Sequence, residues 1–389
     1  MSGYAIRRLE DPAEILQLKD DWDRLYLANP RLTHFQSFAW NSGLVARRAF
    51  HGALRVYLLY RDGRLVLIAP LAQVRRGAVA ELVFIGHDTH ADYLDFIYDD
   101  LQAQDLDHLV LRIRSDAAAG VVTLAFMHQG GRAAVLLGES GLARGRVASP
   151  CFSIDLAGGV DDYKARLGKS TRKEINAGTN RLAREHPEHR YEFTLGRQLE
   201  RDRIRGLLRA YRERLADKHL RFRFSEAYLE FLTDYIAESR DVFLAELYLQ
   251  EGLAAFNLGF VGRDREIHVL LVSSDTRFKR LNAGNLLLYN TVCHLIGTAR
   301  ASGPDVAYYD LTRGAELYKL KYGGAPHDVL SFTLAQSPLV YAVFNLRPAL
   351  VGFARRVLRF AASRPWRARR AAPDPAEDES GRPPEGRRP

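Results

Sequence analysis

Two strand-like segments with a helix-like segment between them stand close together in the C-terminal half of this chain. Ile267, Val269 and Leu271 alternate in the first segment, and the second runs from residue 305 to 311. The helix expected at 284–300 has one apolar face, formed by Leu288, Val292, Leu295, Ile296 and Ala299. A strand, a crossover helix and a strand usually form a right-handed parallel unit. The sequence therefore predicts a mixed α/β fold with a ligand-binding turn at the carboxyl edge of the sheet.

That turn has the residues that an anion site needs. Three cations, Arg277, Lys279 and Arg280, precede the small residues Asn282, Ala283 and Gly284. Small residues leave backbone N–H groups accessible, and the start of the following helix adds partial positive charge. A diphosphate suits all of these features. On spacing alone, a basic solvated loop with a glycine bend is the simpler interpretation.

The remaining periodicity predicts further helices and strands. Asp62-Gly63 is expected to turn a hairpin between strands at 54–60 and 64–74. Thr171 to Glu174 has the spacing of a capping box that starts a helix. Helices are expected at 12–28, 160–167, 172–185, 198–217 and 225–239, and strands at 81–86, 133–137, 151–156, 242–249, 253–261 and 266–273.

The amino-acid sequence divides into four segments. A boundary near Gly145 and Pro150 separates two halves, 1–147 and 148–335. Residues 336–362 are expected to form an amphipathic helix, which either docks on the body or contacts an anionic lipid surface or partner through 338–362. Residues 363–389 are rich in Pro, Arg and acidic residues and predict a disordered tail.

Composition narrows the class of protein. The 389 residues contain two cysteines, Cys151 and Cys293, which excludes a disulfide framework and a four-cysteine zinc site. No apolar run reaches the roughly 18 residues of a membrane helix, and the N-terminus lacks a signal-peptide core. We therefore expect a cytoplasmic protein, and its net charge of +9 favours anionic partners.

Two motifs in the C-terminal half resemble the GNAT acyltransferase superfamily. The first motif is RFKRLNAGNLLLYNTV. The second is YYDLTRGAELYKLKYGG, which contains Asp310, Gly314, Tyr318 and Lys319. The branch they resemble is the CelD-like group of cellulose and exopolysaccharide biosynthesis, which is related to Fem-type peptidyltransferases. Asn282-Ala283 stands where that branch commonly has Ser-Pro.

Motifs in the N-terminal half extend the resemblance over roughly residues 5–335. They are FQSFAW, residues 35–40, FIGHDTHADYLDF, residues 84–96, and LGKSTRKEINAGTNRL, residues 167–182. The resemblance implies two tandem GNAT-like halves, each a twisted mixed sheet flanked by helices. It places acyl-CoA in the C-terminal half and a degenerate half at the N-terminus. The N-terminal half is expected not to bind CoA, because residues 101–122 contain no glycine flanked by cations before a long helix.

The resemblance also implies a reaction and the groups that perform it. An amine or hydroxyl attacks the thioester of acetyl-CoA directly, and no metal is expected. The donor is expected to contact Arg277, Lys279, Arg280, Asn282, Ala283, Gly284, Asn285 and Lys319. The acceptor is expected to contact Asp92, Tyr93, Asp95 and Arg172. The basic helix face around Arg172 is equally well explained as a solvated surface.

Four residues are candidates for proton transfer. Tyr318 is expected to be the general acid for the leaving thiolate, with a partly buried core tyrosine as the alternative. Asp310 is either the base or a residue that orders the loop from 311 to 314. His268 and Glu246 are weaker candidates for the base, because each has an ordinary structural explanation on its strand. The cluster around His87 and Asp88 is better explained as a polar loop than as a metal site.

The leading functional hypothesis is a CoA-dependent acyltransferase acting on a sugar, a polysaccharide precursor or a small metabolite. A Fem-like transferase using aminoacyl-tRNA is one alternative, although the helical hairpin often inserted in such enzymes is not evident. A non-catalytic binder of an anionic ligand or membrane surface is another. Nucleic acid is not expected as a partner, because no aromatic residues interleave with the cations.

Overall fold

The computed structural model of the protein describes residues 3–76, 79–116, 120–217, 224–250, 252–299, 306–335, 340, 341 and 344. Met1–Tyr341 form one compact unit, and Ala342–Pro389 are grouped separately. Apart from positions 340, 341 and 344, the predicted segments 336–362 and 363–389 lie outside the described residues.

The N-terminal half alternates short helices with an antiparallel meander. Its strands are β1 (Tyr4–Leu9), β2 (Ala53–Arg61), β3 (Arg64–Arg76), β4 (Val79–Phe84), β5 (Ile97–Tyr98) and β6 (Val121–His128). Its helices are α1 (Pro12–Leu16), α2 (Lys19–Ala28), α3 (Phe38–Ala46), α4 (Ala103–Ser115) and α5 (Arg132–Ser140).

The C-terminal half repeats this plan with longer helices. Its strands are β7 (Arg144–Asp155), β8 (Arg190–Leu195), β9 (Val242–Leu249), β10 (Gly252–Val261), β11 (Glu266–Ser274), β12 (Tyr308–Arg313) and β13 (Ala325–Ala335). Its helices are α6 (Val160–Arg166), α7 (Lys169–Glu185), α8 (Arg201–Asp217), α9 (Glu226–Glu238), α10 (Ala283–Ala299) and α11 (Leu317–Lys321), with a 3₁₀ turn at Thr276–Leu281.

Most of the predicted elements form where the periodicity placed them. The hairpin of β2 and β3 turns at Asp62 and Gly63, whose φ angles of 51° and 79° suit that two-residue turn. Two local predictions are wrong. Residues 133–137 belong to α5, because their buried apolar residues share one helical face. The capping box at Thr171 does not form, since α7 already begins at Lys169 and buries Thr171.

Strand exchange joins the two halves in one mixed sheet. The order is β1-β2-β3-β4-β6-β13-β7-β12-β11-β10-β9-β8, with β5 paired to β3. The last strand of the described residues, β13, lies between β6 and β7, while β7 also pairs with β12. The strand order is therefore symmetric about the β13–β7 pair. The predicted boundary at 147–148 falls within β7, and the division there stays a prediction.

Helices α8 and α9 pack between the halves. Trp40 on α3 is fully buried and meets the rings of Phe231 and Tyr235 on α9 edge-on, at 5.0 Å between centroids in each pair. A second apolar cluster lies beneath α6, α7 and α10. These two cores fix both faces of the C-terminal half of the sheet, where β11 and β12 lie.

Candidate active site in the C-terminal half

The parallel strands β11 and β12 separate after a short paired segment. Their register runs from Glu266 with Tyr308 to His268 with Asp310 and ends there. Beyond it, β11 continues to Ser274 and β12 to Arg313. The gap between the two diverging strands opens a cleft at the carboxyl edge of the sheet, as the sequence predicts.

A β-bulge causes part of this separation. In the pairing of β10 with β11, Leu258 faces Leu271 and Gly259 faces Val269, so Leu270 is an extra residue. Bulges bend the strand that carries them. Gly259 permits the close approach of the strands, because a Cβ atom there would lie 2.2 Å from the carbonyl oxygen of His268.

A cavity of about 890 Å³ occupies the gap. Its walls are β11 from Val269 to Ser274, β12 from Leu311 to Arg313, the start of α10, and the segment of α11 that contains Tyr318 and Lys319. The end of α8 closes another side. A second cavity of about 400 Å³ shares Arg214, Asp217, Asp275 and Thr276 with the first. The volume lies within the ordinary range for ligand sites.

The predicted anion turn faces this cavity. Asn282, Ala283, Gly284 and Asn285 all line it. Asn282 has a left-handed backbone with φ 57°, and its carbonyl oxygen accepts hydrogen bonds from Asn285 and Leu286 to start α10. The first N–H groups of a helix have no intrahelical acceptor. The N-terminus of this 17-residue helix is therefore presented to the cavity.

The three predicted cations of the turn differ in position. Lys279 lines the large cavity. Arg277 lines the second cavity and binds Asp275 through Nε at 2.8 Å and Nη2 at 2.6 Å, so its charge is largely balanced. Arg280 is not among the cavity-lining residues, and its carbonyl oxygen accepts a hydrogen bond from Arg181. Lys279 is thus the best placed of the three to meet a phosphate.

Tyr318 and Lys319 line the opposite wall of the cavity. Burial raises the pKa of Tyr318 to about 12, so its hydroxyl keeps its proton at neutral pH. Lys319 is 2% exposed, and its Nζ donates to the carbonyl oxygens of Thr312 and Arg313 at 3.1 and 2.7 Å. These bonds tie α11 to the end of β12. Lys319 therefore helps to position α11 against the end of β12.

Asp310 is fully buried beside the cavity, in a network that spans both halves. Its Oδ1 accepts from the backbone N–H of Thr312 at 2.8 Å, and its Oδ2 accepts from the Tyr93 hydroxyl at 2.5 Å. The same hydroxyl lies 3.0 Å from Nε2 of His327 on β13. These contacts hold the chain at Thr312, which has a positive φ of 55°. The geometry favours the ordering role foreseen for Asp310 over that of base.

Glu246 and His268 do not line either of these two cavities. Glu246 is fully buried, forms an ion pair with Arg203 and accepts from the Tyr248 hydroxyl at 2.9 Å. Burial alone would lower the pKa of His268, but the hydrogen bond from its ring to Asp264 and nearby carboxylates raise it to about 9. A histidine protonated at neutral pH is a poor base. Asp264, Glu266 and His268 lie close enough to hold a cation, although the Asp264–His268 ion pair accounts for their proximity.

The predicted acceptor residues do not form one surface. Asp92 forms an ion pair with Arg313, which lines the cavity, so it reaches the site from the N-terminal half. Tyr93 is buried in the network around Asp310. Asp95 is buried elsewhere, and burial raises its pKa to about 7. Arg172 is exposed on α7 and donates to backbone carbonyls of α6.

Several cavity-lining residues were not predicted from the sequence, among them Arg214, Arg313 and Asn257. Arg214 on α8 donates from Nη1 to the carbonyl oxygen of Val272 and lines both cavities. Arg313 lies 3.6 Å from the centre of the Phe126 ring. Asn257 is a polar residue in the otherwise apolar β10, which was a usable signal. Arg214 had none, because α8 contains many arginines along its exposed face.

The amino-acid sequence matches one protein family over this region. Residues 169–320 match the family described as acetyltransferase (GNAT) domain. That range runs from the start of α7 into α11 and hence contains most of the cavity-lining residues. No curated protein matches the chain.

Solved structures share the fold of the whole compact unit. The crystal structure of FemX covers 84% of this chain and 98% of its own at 11% identity, with a TM-score of 0.57. The C-terminal domain of a protein described as a lysylphosphatidylglycerol synthetase from Agrobacterium fabrum covers 88% and 96% at 16% identity, with a TM-score of 0.53. L-PGS from Bacillus licheniformis covers 87% and 96% at 14% identity, with a TM-score of 0.52. These similarities establish a shared architecture.

Proposed function

On the premise that the chain carries an acetyltransferase domain of the GNAT superfamily at residues 169–320, we propose that it transfers an acyl group, with acetyl as the first candidate, from acyl-CoA to an amine or hydroxyl. The observation that carries this proposal is the cavity between the diverging β11 and β12, onto which a helix N-terminus opens. The proposed acceptor is a sugar, a polysaccharide precursor or a small metabolite, and the proposed location is the cytoplasm.

The donor would bind with its diphosphate at the start of α10. The N–H groups there provide donors, and Lys279 supplies a cation on the same wall. A helix N-terminus stabilises an anion by about 0.3–1 kcal/mol near the surface. The acyl-pantetheine arm would then follow the unpaired edges of β11 and β12 toward Tyr318.

The transfer itself needs few groups. The lone pair of the acceptor attacks the thioester carbon, the C–S bond breaks, and the CoA sulfur takes a proton. Tyr318 is the proposed donor of that proton, since its hydroxyl is protonated at neutral pH and lines the cavity. The acceptor proton leaves to a base or to water. Asp310 is proposed to hold the loop at Thr312 in position.

Calorimetry with acetyl-CoA tests the placement of the donor. Lys279→Glu should weaken binding at least tenfold, because the charge at the phosphate site reverses sign and roughly 1.4 kcal/mol accounts for each factor of ten. Arg280→Glu should have a smaller effect, since Arg280 is not among the residues that line the cavity. Arg112→Glu, an exposed change on α4 of the N-terminal half, serves as the control. Equal affinities for wild type and Lys279→Glu would reject the placement.

A Fem-like reaction with aminoacyl-tRNA is the second candidate. The FemX architecture, which spans nearly the whole described unit, favours it over a non-catalytic binding role. Both donors carry an activated acyl group, so the same cavity walls could serve either reaction. Binding to acetyl-CoA without binding to aminoacyl-tRNA would support the CoA-dependent proposal, and the reverse result would replace it.

A further inference from the structure

Helix α11 has two large apolar side chains on its outer side. Leu317 is 74% exposed and Leu320 is 51% exposed. Their spacing of three residues places them on the same side of the helix. Between them, Tyr318 and Lys319 point inward to the cavity wall. The two leucines are therefore not required to complete the fold, and they lie next to the cavity.

Exposed cations lie on the start of α7, which the end of α11 approaches. Lys321 at the end of α11 lies 3.5 Å from Glu174 of α7, which places the end of α11 near the first turns of α7. Helix α7 buries Thr171, Ile175 and Leu182 and exposes Lys169, Arg172 and Lys173. The outer face formed by Leu317, Leu320, Lys321 and the exposed start of α7 is called the α7–α11 face below.

We propose that the α7–α11 face docks on an anionic lipid bilayer, with Leu317 and Leu320 entering the interfacial region and the lysines contacting phosphate headgroups. Surfaces that lie on a membrane without crossing it combine apolar side chains with surrounding Lys and Arg residues. Each basic residue near an anionic surface adds to the attraction within a Debye length.

Lipid fits this surface better than nucleic acid does. Exposed leucines offer nothing to a phosphate backbone, and nucleic-acid surfaces rely on aromatic residues that stack on bases. In the described part of the chain, no helix is long and apolar enough to cross a bilayer. The sequence at 350–360 has similar chemistry, with Leu350, Phe353, Val357, Leu358 and Phe360 beside three arginines.

The docking proposal does not depend on the proposed acyl transfer. It would bring the cavity close to the bilayer surface, because the inner side of α11 lines that cavity. Loss of CoA binding in the calorimetric experiment would leave it unaffected. Conversely, failure to bind lipid would leave the acyl-transfer proposal unaffected.

Vesicle co-sedimentation of the full chain tests the proposal. The probes are vesicles of phosphatidylcholine alone and vesicles of phosphatidylcholine mixed with phosphatidylglycerol. We expect binding to the mixed vesicles, which weakens as salt is added. Leu317→Ser with Leu320→Ser should lower the apparent affinity by roughly tenfold or more, through the lost apolar burial. Lys169→Glu with Lys173→Glu should lower it by a factor on the order of ten.

Matched variants elsewhere serve as controls. Leu27→Ser with Leu111→Ser removes two leucines of similar exposure, 60% and 57%, from α2 and α4. Arg75→Glu with Arg112→Glu reverses two exposed charges on β3 and α4. Both control proteins should sediment with the mixed vesicles like the wild type. The proposal is overturned if neutral and anionic vesicles bind equally, if neither binds, or if the α7–α11 variants behave like the controls.

Discussion

Burial determines which individual side chains can exchange protons at the cavity. Tyr318 is half-buried and keeps its proton, because burial raises the pKa of its hydroxyl to about 12. Arg313 is affected in the opposite direction, since burial lowers its pKa to about 10. Even so, it remains charged at neutral pH and keeps its ion pair with Asp92. The cavity wall therefore combines a neutral acid with a fixed cation.

Replacing Tyr318 by Phe tests the proposal that Tyr318 is the general acid. General acid catalysis typically contributes about 10²–10⁴-fold, so kcat of Tyr318→Phe should fall within that range while acetyl-CoA affinity changes little. A general acid works only while protonated, and a folded-state pKa of about 12 keeps Tyr318 protonated to about pH 10. Wild-type kcat should therefore show no loss from this group between pH 7 and about pH 10.

Steady-state rates across that pH range, at saturating acceptor, provide the measurement. Tyr308→Phe, a change at an exposed tyrosine on β12, is the control and should keep normal rates. Near-normal kcat for Tyr318→Phe would reject the assignment. An alkaline fall below pH 10 in the wild type that is absent from the Phe variant would keep Tyr318 as the acid but contradict the expected pKa of about 12, because Tyr318 would then ionise earlier than its burial implies.

At the scale of elements, the turn into α10 depends on one left-handed residue. Asn282 has φ 57°, a conformation that Asn and Gly adopt readily and that β-branched residues resist. The proposed anion contact uses backbone N–H groups and not side chains at this position. Its geometry should therefore tolerate glycine and reject valine.

Asn282→Val should lower the free energy of unfolding by about 1–2 kcal/mol and weaken acetyl-CoA binding. Asn282→Gly should keep the affinity within a fewfold range. Asp62→Val provides the control, because Asp62 has φ 51° in the distant β2–β3 hairpin, and there the same strain should leave acetyl-CoA binding intact. Chemical denaturation and calorimetry measure the two effects. If Asn282→Gly binds as weakly as Asn282→Val, the side-chain amide and not the backbone makes the contact.

At the scale of the whole molecule, strand exchange should make the two halves unfold together. Strand β13 of the C-terminal half pairs with β6 of the N-terminal half, and β7, which contains the predicted boundary at 147–148, pairs with both β13 and β12. Neither half can keep its sheet if the other melts. We therefore expect residues 3–341 to unfold in one cooperative transition.

A pair of matched core substitutions checks this cooperativity. Leu67→Ala on β3 and Leu247→Ala on β9 each remove a fully buried leucine, one from each half. Such changes cost about 2–5 kcal/mol. Differential scanning calorimetry should show that either substitution lowers the Tm of the same single transition. Two transitions, each sensitive to only one substitution, would contradict the expected coupling.

The sequence by itself determined the elements whose signals are local. The Asp62-Gly63 hairpin and the unit from β11 through α10 to β12 follow from turn chemistry and periodicity within a few neighbouring residues. The turn from Asn282 to Asn285 also lines the cavity, and its binding of an anion stays a prediction. Periodicity was ambiguous for the short segment at 133–137, where a strand was expected and a helix formed.

Only the tertiary structure decided how segments distant in the chain meet. No local pattern shows that β13 lies between β6 and β7, or that Tyr93 and His327 share a network with Asp310. The same is true of Arg214, whose helix looks like any arginine-rich exposed helix until it packs against β11. Local propensity and turn geometry depend on neighbours in sequence. Cavity walls and buried hydrogen-bond networks depend on which elements pack together, and that is fixed by the burial of apolar surface over the whole unit.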